Sequence, residues 1–168
     1  MIMKIRGIDL HLEGLQALSK RLPESHPQRE LIDKKIGMKT AGIRGESKLV
    51  KVFENYTFLD EIYILHDVSF YSTGRAQIDC LVITPNFALI LEVKNIAGDM
   101  SFLVGTGQIS RVLENGQIDH FESPMIQIDR NSDLLFDWFR LKDIHMPILG
   151  AVVLSNSTQK VNVQPNQY

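Results

Sequence analysis

Three runs between residues 61 and 94 leave little room for anything but a β-sheet. "EIYILHDVSF" (61–70), "AQIDCLVIT" (76–84) and "FALILEVK" (87–94) are rich in β-branched and aromatic residues, and only "YSTGR" and "PN" separate them. Connections this short force antiparallel neighbours, because a parallel crossover needs a dozen or more residues. The second connection also sets a register. With a loop centred on Pro85 and Asn86, Ile83 faces Ala88 and Asp79 lies opposite Glu92. Proline at the first loop position disfavours the primed two-residue turn, whereas a four-residue loop around a type I turn keeps the same pairing. A three-residue loop would shift it by one.

That register puts charge inside the sheet. Directly paired residues share a face, and Gln77 and Lys94, each two residues along, join Asp79 and Glu92 there. Ile78, Cys80, Val82, Leu89, Leu91 and Val93 are expected on the other face. Two carboxylates this close repel unless a cation stands between them. Lys94 can be that cation, which makes the group a buried ion pair of little net stability. Alternatively a hard divalent cation is held by Asp79 and Glu92 with Lys94 beside it, since Mg²⁺ takes one or two carboxylates plus waters and phosphate oxygens. The spacing alone leaves both readings open.

Around this hairpin the pattern alternates helix and strand. Ile8, Leu12, Leu15, Leu18 and Leu22 predict a helix over 8–22 closed by Pro23, and "PESHPQ" (23–28) reads as a loop. A weaker helix is expected over 29–40, with Gly37 and Gly42 against it, then an amphipathic one from Gly45 to about Phe58 with Glu46 in its first turn. "MSFLVG" and "ISRVL" continue the β-meander, and Asn115-Gly116 favours a tight hairpin turn. Ser123 and Pro124 open a helix to about Leu141 whose apolar face includes Ile128, Leu135, Trp138 and Phe139. "PILGAVVLS" (147–155) is a further buried strand and "KVNV" a short edge. The expected fold is α/β (α+β): a mixed central β-sheet flanked by helices on both faces.

Bulk properties narrow the function classes. A net charge of -2 and a pI near 6.2 give no global pull toward nucleic acid or anionic membrane. Locally, residues 29–51 set Arg29, Lys34, Lys35, Lys39, Arg44, Lys48 and Lys51 against Glu30, Asp33 and Glu46. No apolar run spans a bilayer and the start has no signal-peptide core, so no membrane partner is expected. One cysteine, Cys80, suits a reducing compartment, and a cytoplasmic protein is expected. Cys80 reads as a small buried hydrophobe. The five histidines lack zinc-ligand spacing. The chain stops soon after a strand, which leaves room for an additional fused domain.

Four short motifs occur in a specific order: "RGE" (44–46), "QID" (77–79), "LEVKN" (91–95) followed by Gly98, and "SPMIQ" (123–127). Together they resemble the NERD (nuclease-related) domain of the PD-(D/E)XK nuclease superfamily, over about residues 41 to 155. The resemblance implies a domain over 41–168 preceded by an N-terminal helical extension over 1–40. It implies Asp79 and Glu92 as metal-binding carboxylates with the Val93 carbonyl, Lys94 as the catalytic lysine, Glu46 helping to hold the metal, and Gln127 approaching the site. Ile78 stands where the superfamily's name-giving proline would be, a common substitution. The implied activity is a Mg²⁺- or Mn²⁺-dependent deoxyribonuclease leaving a 3′-hydroxyl, acting on DNA, with RNA acceptance open and homodimers common. Candidate phosphate contacts are Lys39, Arg44, Lys48, Lys51 and Arg75. Two other classes compete: a nucleic-acid-binding or interaction module of the same fold with weak or no cleavage, and a structural domain whose acidic cluster is a solvated salt-bridge patch. In that last case Glu46 would only complement a helix dipole.

Overall fold

A computed structural model describes residues 1–103, 107–156 and 160–164. The element order is β1 (Ile2–Lys4), α1 (Leu10–Arg21), α2 (Arg29–Glu54), β2 (Tyr63–Tyr71), β3 (Arg75–Ile83), β4 (Ala88–Lys94), β5 (Asp99–Leu103), β6 (Gln108–Val112), β7 (Ile118–Glu122), α3 (Pro124–Arg140), β8 (Ile148–Leu154) and β9 (Val161–Gln164). The ends of the expected "MSFLVG" strand and of "VQPNQY" lie outside the described residues.

The β3–β4 hairpin has the expected register, pairing Ile83 with Ala88 and Cys80 with Leu91. Thr84 closes it: its Oγ accepts from the Asn86 and Phe87 amides at 3.2 and 3.0 Å, and its own amide donates to the Phe87 carbonyl. The first sheet has the order β1-β2-β3-β4-β8 and is mixed, with β1 parallel to β2 and β8 parallel to β4. Helix α2 covers one face, where Leu49 and Phe53 pack on Ile64, Cys80, Val82, Leu91 and Val93. Helix α3 covers the other, where Ile128, Leu135 and Phe139 pack on Ile78, Leu81, Ala88 and Ile90. Ser123 caps α3, accepting from the Met125 amide, and Pro124 occupies its first turn as expected.

Four expectations are corrected. The two helices expected over 29–40 and 45–58 are one continuous helix, α2, which crosses Gly37, Gly42 and Gly45 and ends at Glu54, short of Phe58. A helical glycine costs about 1 kcal/mol, and packing on α1 and on the sheet outweighs that. Glu46 therefore sits deep within α2 rather than in a first turn, so the helix dipole does not account for it. The meander does not stay in one sheet: β5 leaves after Lys94 through Gly98, whose φ is +96, and a second sheet forms with the order β7-β6-β5-β9. Lastly, Ile78 packs with the α3-side residues, not with Cys80. Alternation breaks at one level of both strands, between His66 and Val68 in β2 and between Ile78 and Cys80 in β3, where Asp67 takes a φ of 52. The pairing on either side is unchanged, His66 with Cys80 and Val68 with Ile78.

Candidate active site

The ladder between β3 and β4 stops at Cys80 and Leu91, one step short of the expected Asp79–Glu92 pair. At that point the Asp79 carboxylate replaces the strand partner. Its Oδ2 accepts from the Val93 amide at 2.9 Å. Glu92 is only 1% exposed; its Oε1 accepts from Lys94 Nζ at 2.6 Å, and its Oε2 has no hydrogen-bond partner. Lys94 Nζ also donates to Oε1 of Gln127, in the first turns of α3, at 3.2 Å. Asp79, Glu92, Val93, Lys94 and Gln127 are thus brought together where the two strands part.

Glu46 reaches the cluster from α2. A side chain at the preceding Gly45 would put its Cβ 2.7 Å from Ser155 Oγ and 2.8 Å from Asn95 Cβ, so glycine lets α2 sit against the ends of β4 and β8. Asn95 ties the contact by donating to the Ala41 carbonyl at 2.8 Å. Glu46 itself receives the guanidinium of Arg6.

None of these carboxyls is comfortable as an anion. Burial pushes Glu92 up to about 7, and Asp79 adds to the rise against the pull of Lys94. Burial also raises Asp79, opposed by the Val93 amide and Lys94. Glu46 is raised mainly by burial, with Arg6 opposing and Asp79 adding. The cluster is short of positive charge, and a bound cation would relieve all three. Its donors, two carboxylates around an unpartnered buried oxygen, suit a hard divalent ion. Among the described residues, however, no three acidic, imidazole or thiol side chains already converge as a metal-holding group. Glu92 and Glu46 are turned toward Lys94 and Arg6 instead.

The candidate phosphate contacts fall in different places. Arg44, Lys48 and Lys51 form an i, i+4, i+7 stripe on α2, and Glu46 projects from the other flank of that helix. Lys48 donates to the Ser155 carbonyl at 2.8 Å. Lys39 shares the Glu46 flank and pairs with Asp9 at 3.0 Å. Arg75 opens β3, exposed, at the sheet end where Lys94 closes β4.

Two site residues give little or no sign of themselves in the sequence. Asp67 lies across from Asp79, and its charge acts on both Asp79 and Glu46. The β2–β3 hairpin register, extended in the same way as that of β3–β4, is the signal that reaches it. Arg6 carries no such signal, because it follows β1 in an irregular connection, and β1 pairs in parallel with no turn to fix its register. Cys80, buried and pushed up to about 12 by that burial, offers no thiolate. Among the described residues no helix is long and apolar enough to cross a membrane.

No curated protein and no solved structure matches the chain. The model of the NERD family, nuclease-related domain, does match, over residues 41–155, a region that holds Glu46, Asp79, Glu92, Lys94 and Gln127. The carboxylates and lysine of that region accord with the PD-(D/E)XK placement, and the chain belongs to the nuclease-related domain family.

Proposed function

We propose that the chain is a metal-dependent nuclease that hydrolyses phosphodiester bonds of DNA in the cytoplasm. The observation that carries this reading is the bare, buried Oε2 of Glu92 beside Asp79, a carboxylate pair in want of a cation. Asp79, Glu92 and the Val93 carbonyl, helped by Glu46, would hold Mg²⁺ or Mn²⁺, which when bound polarises a phosphoryl oxygen and acidifies a water. Lys94 would orient the attacking water and balance charge building on the phosphate. Gln127 holds the Lys94 ammonium on the Glu92 side, since both oxygens share its protons. Of the candidate cations, Arg44, Lys51 and Arg75 would take backbone phosphates, whereas Lys39 is held by Asp9 and Lys48 by the Ser155 carbonyl.

One observation favours a second reading. Both glutamates are already engaged by cations, so the fold could persist as a nucleic-acid-binding module with feeble cleavage. Incubating supercoiled plasmid with the protein in Mg²⁺, Mn²⁺ or EDTA separates the two, beside an Asp79→Ala control. Nicking that needs metal and disappears in the variant supports the nuclease. A folded chain that shifts plasmid on a gel but never nicks it in either metal supports the binding module.

A further inference from the structure

Arg6 lies outside the family-matched region, yet its guanidinium is in the acidic cluster. The segment that carries it is fastened on both sides. Upstream, β1 pairs with β2 and Lys4 donates to the Asp67 carbonyl. Downstream, Asp9 caps α1, accepting from the Leu12 amide at 2.8 Å, and binds Lys39 of α2 at 3.0 Å. Between these anchors Arg6 gives Nη1 to Glu46 and holds Nη2 3.5 Å from Asp9. Both partners are largely covered, the Arg6 side chain 22% and that of Glu46 15% exposed. Its charge also acts on Asp67 and Asp79. The charges of Glu46, Asp67, Asp79 and Glu92 are thus set against those of Arg6 and Lys94, and Arg6 also shares its charge with Asp9, which Lys39 neutralises in part.

We propose that Arg6 is a built-in counter-ion that competes with a divalent cation for Glu46, so that the N-terminal strap sets the metal affinity of the site. The inference rests on the metal-binding reading above. Two features support competition over assistance. Glu46 is turned to Arg6, and no metal-holding trio stands ready among the described residues. A fixed positive charge beside a second cation also repels it, whatever else it does. Removing that charge frees Glu46 and lifts the repulsion together, and at near-surface screening the gain is about tenfold in affinity.

The test is calorimetric titration of Mn²⁺ into the full chain, with thermal melts to confirm folding. Arg6→Gln and Arg6→Met are two neutral variants of different shape, and either serves if the other fails to fold. Both are expected to bind Mn²⁺ about tenfold more tightly than the parent, while Arg6→Lys stays within about threefold of it. Adding Glu46→Gln to Arg6→Gln is expected to cancel most of the gain, because the freed glutamate supplies it. Unchanged or weaker binding in the neutral variants would overturn the proposal, the weaker result meaning that Arg6 positions Glu46 for the metal. Absence of Mn²⁺ binding in the parent and every variant would sink the metal-binding reading itself, and this inference with it.

Discussion

Burying Glu92 to 1% exposure beside Asp79 raises its carboxyl to about 7, from an ordinary 4.5, and this has a measurable sign. The metal-free fold prefers the protonated acid, so the contribution is full below about pH 4.5 and is lost as pH rises toward 7. A shift of that size corresponds to about 3 kcal/mol. The raised Asp79 and Glu46 act in the same direction. Glu92→Gln keeps the shape, removes the titration and spares Asp79 a neighbouring charge. Urea unfolding in EDTA at pH 5 and pH 8 is the check. The parent should lose stability across that interval, and the variant should lose about 1–3 kcal/mol less. Equal losses would mean that the Glu92 carboxyl is not held protonated by the fold. If the proposed metal site is right, saturating Mn²⁺ should restore the parent at pH 8, since the ion would bind the anionic carboxylates that burial alone disfavours.

Helix α2 carries most of the disagreement between sequence and structure, and its glycines supply a test. Gly37 has open space where a Cβ would go, whereas a Cβ at Gly45 meets Ser155 and the rigid Cβ of Asn95. Gly37→Ala is expected to stabilise by up to about 1 kcal/mol through helix propensity. Gly45→Ala should destabilise by about 1–3 kcal/mol despite the same propensity gain, because α2 must move off the sheet ends. In thermal melts, movement of both midpoints in the same direction would mean that α2 does not approach β4 as closely as the structure has it. The contrast explains what the sequence could reveal. Local signals were legible: the Pro85-Asn86 turn with its register, the Ser123-Pro124 helix start, and through them the meeting of Asp79, Glu92 and Lys94. Gln127 and Glu46 came only through the family motifs, since helix packing brings them to the strands. Decisions taken in tertiary contact were not legible. These include the continuity of α2 over three glycines, the change of face at Ile78, the departure of β5 into a second sheet, and the parallel pairing that delivers Arg6.

Across the whole molecule, a net charge of -2 offers DNA no long-range attraction, so the DNA binding proposed above would depend on cations free to meet phosphates. The structure sorts the candidates by that criterion. Arg44, Lys51 and Arg75 are exposed and have no ion-pair partner among the described residues. Lys39 is held by Asp9, and Lys48 by the Ser155 carbonyl. A held cation must leave its present partner to reach a phosphate, and that loss offsets the new ion pair. A free one forms the ion pair without such a loss and expels a counterion, which steepens the salt dependence by about 0.9 per phosphate on duplex DNA. The measurement is fluorescence anisotropy of a labelled duplex against KCl concentration, in EDTA so that cleavage does not interfere. Arg44→Gln, Lys51→Gln and Arg75→Gln together are expected to flatten the log–log slope by about 2–3 and to weaken binding for all sequences alike. Lys39→Gln is expected to leave the slope within about 0.3 of the parent. A flattened slope in Lys39→Gln would place the strap side of α2, with Asp9 displaced, under the DNA. No flattening in the triple variant would remove both the Arg44–Lys51 stripe and Arg75 from the phosphate path. The approach to Asp79 and Glu92 would then have to come from the α3 side, past Gln127.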